Sequence, residues 1–301
     1  MIERIVVPLD GSLTAEAILP QVRRVLYRND SEVILVRAVV PPPVENSLLV
    51  AEPLLAAARE YILGQQERLE KAGVRVKHAV RIGSPVGVIL DVVEEEKATM
   101  IALATHGSSG VKRVLFGSVA EDVIRRTPVP VLLLRPFWSY ELLPAVAPEQ
   151  RPIRNLLLPV DGSDLSTEAL PGVIEFAGLF ETRVVLLRVL EEKKRKPASL
   201  DEKAEAEKQL QALARTLEKK GVETLSLVEK GDPTEQILKA ARFHGIDLIA
   251  LTTHGRSGLR RAVTGSVTEN VLRKATAPLL ITRNAGAAKK GKSRSAEKIR
   301  K

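Results

Sequence analysis

A repeat of a whole domain is the feature of this sequence that most restricts what the chain can fold into. Three landmarks of the first half recur in the second half, at offsets of 151 residues for the first and 148 for the other two. A period this long indicates a duplicated domain and excludes a solenoid, whose units span about 20–50 residues. The paired segments are 5–12 and 156–163, 105–113 and 253–261, and 117–121 and 265–269.

Within each half, short segments rich in Val, Ile and Leu alternate with longer helical patterns. This alternation predicts an α/β fold with a parallel sheet, right-handed crossovers and helices on both faces. In the first half we expect strands at 4–9, 32–39, 75–81, 100–104 and 129–134, and helices at 15–27, 54–72, 85–95 and 119–126. In the second half we expect strands at 155–160, 183–189, 223–229, 248–252 and 277–282, and a helix at 267–274.

The repeat also sets the predicted domain boundaries. We expect one domain at residues 1–136 and a second at 152–284. The intervening segment 137–151 fits neither a strand nor a helix pattern and is predicted to be a linker. Its Phe137, Trp138 and Tyr140 suggest that it packs against the domains, because dense aromatics are unusual in a solvated linker.

Composition excludes several classes of protein. The absence of cysteine removes disulfides, thiolate catalysis and cysteine-ligated metals. The longest apolar runs are strand-sized, short of the roughly 20 residues that span a bilayer. The chain enters a strand pattern at Ile5 without the layout of a signal peptide, so we expect a cytoplasmic protein without membrane partners.

The net charge of +9 is concentrated at the carboxyl terminus. Residues 289–301 carry seven basic side chains and one glutamate, so they contribute +6 of that total. We expect residues 285–301 to form a basic, disordered tail. The alternative is an electrostatic tether to nucleic acid or an anionic surface, which would confine nucleic-acid binding to this tail.

The first candidate site feature is Asp10, which with Gly11 and Ser12 follows the first predicted strand. Its counterpart in the second half is Asp161, with Gly162 and Ser163. In open α/β sheets ligands bind at the carboxyl ends of the strands, where a carboxylate can accept both hydroxyls of a ribose. The alternative is structural, since Asp-Gly-Ser commonly makes a turn and caps the next helix.

The second candidate feature is a glycine-containing loop after the fourth predicted strand of each half. Glycines let backbone N–H groups approach phosphate oxygens, and the helix that follows adds unpaired N–H donors and a positive dipole end. The alternative is an ordinary loop before a capped helix. The loop residues are Gly107, Gly110, Gly117 and Ser118 in the first half, and Gly255, Gly258, Gly265 and Ser266 in the second. Either serine can donate to a phosphate or cap its helix.

Basic residues and histidines also recur in these loops. Lys112, Arg113, Arg260 and Arg261 can neutralise phosphates or be solvated surface charges. His106 and His254 stand beside the first loop glycines, where they can contact a phosphate or brace the loop. No acid pairs with them in the nearby sequence, and the chain has no nucleophile elbow, P-loop or Gly-x-Gly-x-x-Gly run, so we predict no catalytic residue and no metal site.

These motifs resemble the universal stress protein family in its tandem two-domain form, over residues 2 to about 283. ATP-binding members of that family carry Gly-x-x-Gly, nine residues, and then Gly-Ser or Gly-Thr. Gly107 followed by Gly117-Ser118 fits this pattern, as does Gly255 followed by Gly265-Ser266. The family's first glycine aligns with Ala104 and Thr252, so both halves depart from the pattern there.

The resemblance implies two tandem Rossmann-like domains of the adenine nucleotide alpha hydrolase-like type. Each would have a five-stranded parallel sheet of order 3-2-1-4-5, with the nucleotide between strands one and four. It also implies dimerisation through the last strand, either internally between 129–134 and 277–282 or between two copies of the chain. The implied cofactor is ATP, ADP or AMP, with or without Mg²⁺.

The resemblance assigns nucleotide-binding roles to matching positions in both halves. The backbones of Val39 and Val189 would meet the adenine. The full set of candidates is Pro8, Leu9, Asp10, Val39, Ala104, His106, Gly107, Gly110, Gly117, Ser118 and Val119, with Pro159, Val160, Asp161, Val189, Thr252, His254, Gly255, Gly258, Gly265, Ser266 and Val267. Thr252 is bulkier than Ala104, so we expect two similar sites, with the first slightly favoured.

Three functions remain open from the sequence. The leading one is a nucleotide-binding regulatory protein of the stress response. The second is a slow ATPase or phosphotransferase that uses His106 or His254, and the third is a dimerisation module with degenerate sites. Residues 48–57 form an insertion in the first half that is either a lid or packing, so access to the two sites is expected to differ.

Overall fold

The central strand of the first sheet is buried on both faces. In β1 (Arg4–Pro8), the side chains of Ile5, Val6 and Val7 are each 0% exposed. Successive side chains of a strand point to opposite faces of its sheet, so packing must cover both faces. The equivalent strand of the second half, β6 (Asn155–Val160), has the same property at residues 156–158.

A computed structural model describes residues 2–26, 31–43, 47–105, 117–135, 152–163, 170–191, 200–253 and 266–283. The chain divides into two compact units, Met1–Pro152 and Ile153–Lys301. The predicted linker 137–151, with its three aromatic residues, and the predicted basic tail 285–301 lie outside the described residues.

The first unit alternates strands and helices as the sequence predicts. After β1 come α1 (Leu13–Glu16), α2 (Leu19–Leu26), β2 (Glu32–Val39), α3 (Ser47–Lys71), β3 (Arg75–Ile82), α4 (Pro85–Glu95), β4 (Met100–Ala104), α5 (Ser118–Arg126) and β5 (Val131–Leu134). Helix α3 packs against β2 and β3, and α4 packs against β1, β2 and β3.

The second unit repeats this order. After β6 come α6 (Leu170–Phe180), β7 (Arg183–Leu190), α7 (Leu200–Glu218), β8 (Thr224–Lys230), α8 (Pro233–Phe243), β9 (Leu248–Thr253), α9 (Ser266–Lys274) and β10 (Leu279–Arg283). Helix α7 packs against β7 and β8, and α8 packs against β6 and β7.

The strand order within each unit confirms the predicted topology. The first unit has the order β3-β2-β1-β4-β5, and the second has β8-β7-β6-β9-β10. Within each unit the neighbouring strands are parallel, and Ile5, for example, is in register with Val33 of β2 and Met100 of β4. Both units therefore have the order 3-2-1-4-5, in which the first strand lies between the second and the fourth.

Matching sequence signals start α4 and α8. The Ser84 hydroxyl accepts a hydrogen bond from the backbone N–H of Gly87 at 3.2 Å, and the Asp232 carboxylate accepts one from that of Glu235 at 2.9 Å. Pro85 and Pro233 each follow the capping residue, at a position where the missing N–H costs nothing.

Two helices differ from their predicted bounds by more than one residue. A single helix was expected at 15–27, but the structure has two, because Pro20 lacks an N–H and its ring would clash with the carbonyl of Glu16 in a continuous helix. Helix α3 begins at Ser47, before the predicted 54–72, and contains Pro53. Residues 48–57 therefore form its first turns, and Ala51 is buried there at 3% exposure, which favours packing.

Two adjacent residues of α3 test this account of the core. Ile62 is 0% exposed and Leu63 is 50% exposed. We expect Ile62→Ala to lower the free energy of unfolding by about 2–5 kcal/mol, because it removes apolar burial and leaves a cavity. Leu63→Ala should cost less than about 1 kcal/mol. Urea denaturation of the full chain measures both, and equal losses would contradict the assignment of the buried face.

Candidate functional site

The carboxyl end of the first strand lies at the topological switch point of each sheet. Strand β1 pairs with β2 on one side and with β4 on the other. The chain therefore leaves β1 to build one side of the sheet and later returns to build the other side, beginning with β4. Strand β6 has the same place between β7 and β9. Crevices at such positions are where open α/β sheets bind ligands.

A tight turn follows the first strand in both units. One carboxylate oxygen of Asp10, Oδ1, accepts hydrogen bonds from the backbone N–H of Ser12 at 2.9 Å and from its hydroxyl at 2.6 Å. In the second unit, Asp161 Oδ1 accepts the same two bonds from Ser163 at 2.9 and 2.5 Å. Both aspartates are exposed. The turn thus holds each carboxylate in a defined orientation at the switch point.

Ser12 also caps α1. Its hydroxyl oxygen accepts a hydrogen bond from the backbone N–H of Ala15 at 3.1 Å. The turn and the cap expected for Asp-Gly-Ser as a structural motif are therefore both present. They involve Oδ1 of the aspartate and the serine, so they are compatible with a binding role for the same carboxyl group.

The glycine of each turn has a left-handed backbone conformation, with φ +84° at Gly11 and φ +80° at Gly162. A Cβ on Gly11 would be 3.8 Å from Arg37 Nη2. A Cβ on Gly162 would be 3.1 Å from Arg188 Nη2 and 2.9 Å from Gln209 Oε1. The turn in the second unit is thus more tightly enclosed.

The arginines beside these turns were missed by the sequence analysis. Arg37 lies on β2 and Arg188 on β7, and their Nη1 atoms are 3.4 Å from the carbonyl oxygens of Leu9 and Val160, to which they donate. Two features of the sequence could have identified these arginines. They are separated by 151 residues, the offset of the two aspartates, and each interrupts an apolar strand.

A tyrosine and a glutamate extend the site in the first unit. The Tyr61 hydroxyl on α3 donates to Glu16 Oε1 at 3.0 Å, and Glu16 Oε2 is 3.7 Å from Arg68 Nη1. Burial, the hydrogen bond to Glu16 and the charge of Glu16 raise the pKa of Tyr61 far above its ordinary value. The positive charge of Arg37 opposes that rise in the pKa of Tyr61, and the negative charge of Asp10 adds to it. The side chains of Arg37 and Asp10 therefore both lie near the phenol.

The strand-one and strand-two candidates lie along the central ladders. Pro8 is in register with Val36 and Pro159 with Leu187, and Val39 is in register with Ile82 at the end of β2. Leu9, Val160 and Val39 are buried at 2%, 6% and 6% exposure, whereas Val189 is half-buried. The side chains of the buried residues belong to the core, which leaves the backbone as the part that a ligand can meet.

The strand-four candidates are Ala104, the last residue of β4, and Thr252, the second-last residue of β9. Ala104 and Thr252 are half-buried at equivalent places. The next residue of the first unit, Thr105, is buried and its backbone N–H donates to Leu134 O at 2.8 Å, which ties this end to β5.

Helix α5 begins at Ser118, one residue before the predicted start at 119. The capping residue is Gly117, which has no side chain to accept a hydrogen bond from the first turn. Of the two roles left open for Ser118, it therefore does not have the capping one, because it is the first helical residue and not the residue before the helix. Ser118 and Ser266 are exposed at the helix starts, and Val119 and Val267 beside them are half-buried.

The remaining candidates lie outside the described residues. They are His106, Gly107, Gly110, Lys112 and Arg113 in the first half, and His254, Gly255, Gly258, Arg260, Arg261 and Gly265 in the second. Across the described ranges, no group of three or more His, Asp or Glu residues is placed to hold a metal ion. None of the helices in those ranges is long and apolar enough to cross a membrane.

The difference between the two turns predicts different costs of substitution. Gly11→Ala should lower the free energy of unfolding by about 1–2 kcal/mol, because alanine is disfavoured in the left-handed region. Gly162→Ala should cost more, since Arg188 and Gln209 must also move, and Gln209→Ala should reduce that excess. Urea denaturation provides the measurement. Gly64→Ala is the control, because Gly64 is helical with open space and should gain about 0.5–1 kcal/mol.

The raised pKa of Tyr61 predicts a dependence of stability on alkaline pH. The folded pKa exceeds the unfolded value of about 10, so the contribution of Tyr61 is present below that pH and decreases as the pH rises above it. Absorbance titration of the phenolate should show a late-ionising component that Tyr61→Phe removes. Glu16→Gln should lower the pKa of Tyr61 only part of the way, because burial remains. A wild-type titration without a late component would contradict this environment.

Relatives of known family match one half of the chain at a time. A universal stress protein from Methanocaldococcus jannaschii is 32% identical over 139 residues, covering 44% of this chain and 82% of the relative. A second universal stress protein from that organism is 29% identical over 155 residues, covering 45% of this chain and 96% of the relative.

A solved structure matches the fold over both halves. It is a universal stress protein from Archaeoglobus fulgidus, with a TM-score of 0.73 and 19% identity, covering 94% of this chain and 99% of that one. The model of the Universal stress protein family matches residues 1–135 and again residues 152–283. The repeat, the sheet order and these matches agree, and the chain belongs to the universal stress protein family as a tandem of two domains.

Proposed function

We propose that each unit binds an adenine nucleotide, and that the chain is a nucleotide-dependent regulator of the stress response. One observation carries this proposal. In each unit an oriented aspartate follows the first strand, and the parallel fourth strand beside it is followed in the chain by a helix that begins at Ser118 or Ser266. This combination suits a ligand with a ribose at one end and phosphates at the other.

The proposed contacts follow from the placement of the residues. Asp10 and Asp161 accept the ribose hydroxyls, and the backbones of Val39 and Val189 meet the adenine. The helix starts at Ser118 and Ser266 provide N–H donors and hydroxyls for phosphates, where Mg²⁺ can accompany ATP. The glycines and histidines of the preceding loops complete the proposed sites.

The two sites are proposed to be similar without being identical. Thr252 adds a β-branched side chain where the first unit has Ala104. The first unit places Glu16 and Tyr61 beside Asp10, whereas Gln209 stands close to Gly162 in the second. We propose that the first unit binds nucleotide more tightly, because its turn is less enclosed.

Regulation is favoured over catalysis, because no acid pairs with His106 or His254 in the nearby sequence and the chain has no nucleophile elbow. The repeated His106 and His254 support one alternative, a slow ATPase or phosphotransferase. Domains at 1–136 and 152–284, a linker at 137–151 and dimerisation through the last strands stay proposals. The matched ranges 1–135 and 152–283 support the two domains.

Isothermal calorimetry with ATP, supported by native mass spectrometry, tests the proposal. The full chain should bind two equivalents of ATP. Gly117→Val and Gly265→Val should each remove one equivalent, because a branched side chain there blocks close approach of a phosphate to the helix start.

Gly64→Val is the matched control. It makes the same change in α3 where nothing lies within 4 Å of the added Cβ, so both equivalents should remain. No binding of ATP, ADP or AMP by the wild-type chain at millimolar concentration would refute the proposal and favour a dimerisation module. Phosphate release that disappears in His106→Ala and His254→Ala would favour the enzyme.

A further inference from the structure

The most informative residues outside the proposed nucleotide contacts are two arginines at equivalent positions. Arg37 is the sixth residue of β2 and Arg188 the sixth of β7, and both strands are otherwise mostly buried and apolar around them. Each side chain is half-buried and reaches the turn after the neighbouring first strand.

Both arginines have a costly feature in common. The Nε atoms of Arg37 and Arg188 are buried, and neither has a hydrogen-bond partner among the described residues. An unsatisfied buried donor destabilises a fold, and an apolar side chain at the same place would avoid that cost. Because an arginine with a buried, unsatisfied Nε occurs at the same position of both units, we expect its guanidinium to have a role other than stabilising the fold.

The other end of each guanidinium contacts the turn that holds the aspartate. Nη1 donates to the carbonyl of Leu9 or Val160, the residue directly before the aspartate. At 3.4 Å these hydrogen bonds are long, so the guanidinium supports the turn chiefly by packing against it. Nη2 lies against the turn glycine, close enough in the second unit that a Cβ on Gly162 would be 3.1 Å away.

A planar guanidinium can make both contacts at once because its nitrogen atoms are held in a rigid fork. It therefore supports the residues on either side of the aspartate, while the serine hydroxyl and N–H hold Oδ1. Together these contacts hold the turn and one carboxylate oxygen in place without a ligand.

We infer that Arg37 and Arg188 are positioning residues that orient Asp10 and Asp161 for the two hydroxyls of a ribose, and so set selectivity for ribonucleotides. This inference rests on the proposed nucleotide site. The arginines act through the aspartates and need not touch the ligand. Their loss should therefore weaken binding only of ligands that carry the hydroxyls.

The test compares ATP with 2′,3′-dideoxy-ATP, which lacks both hydroxyls, by calorimetry on the full chain. In Arg37→Gln/Arg188→Gln, the Kd for ATP should rise at least about tenfold, the order of one hydrogen bond to a charged group. The Kd for the dideoxy analogue should change less than about twofold. Arg183→Gln is the control, because Arg183 begins β7 at the opposite end of the strand from the turn.

Each outcome decides the inference. Equal losses for the two nucleotides, or no loss for either, would overturn it, whereas a wild-type chain that binds no ATP would instead refute the proposed function. Should circular dichroism show that the glutamine variant does not fold, Arg37→Lys/Arg188→Lys takes its place, because lysine keeps the positive charge. The quantity compared is again the ratio of the Kd for the dideoxy analogue to the Kd for ATP. A single ammonium cannot make both contacts, so the preference for ATP should fall, and an unchanged preference would overturn the inference.

Discussion

The parallel pairing of β1 with β2 on one side and β4 on the other is the constraint on which the first unit depends, and β6 has the same place between β7 and β9. Apolar side chains on both faces hold these strands in register, because a slip of one residue would reverse which face every side chain occupies. This register fixes where the carboxyl ends meet. The carboxyl ends of β1 and β4, which are far apart in sequence, are brought to one edge in this way.

The turn after each first strand combines folding and the proposed binding in one group of atoms. The Asp10 and Asp161 carboxylates are each held by a serine, and their turns are enclosed by an arginine from the neighbouring strand. A side chain that folding has already oriented loses less freedom when a ligand binds. The surroundings nevertheless differ between the units, because Tyr61 and Glu16 form a hydrogen-bonded pair in one and Gln209 approaches the glycine in the other.

Much of the architecture could be predicted from local pattern. The strand at 32–39 and the helix at 85–95 have the expected bounds. The order of the strands in each unit was expected from the family resemblance, and not from local pattern, and it is confirmed. The errors in the helix bounds lie at two prolines, which act in opposite ways. Pro20 divides a helix that the apolar spacing would have continued, whereas α3 continues through Pro53 to an earlier start than predicted.

The sequence by itself determined the duplication, the alternation of strands and helices, and the aspartate and glycine motifs, because each is a local pattern that survives without knowledge of contacts. Only the tertiary structure decided which distant side chains surround those motifs. Arg37 meets Leu9 and Gly11 because strand pairing places β2 beside β1, and Tyr61 meets Glu16 because α3 packs over the sheet. Such contacts depend on register and helix packing, which the entire core sets and no short segment encodes.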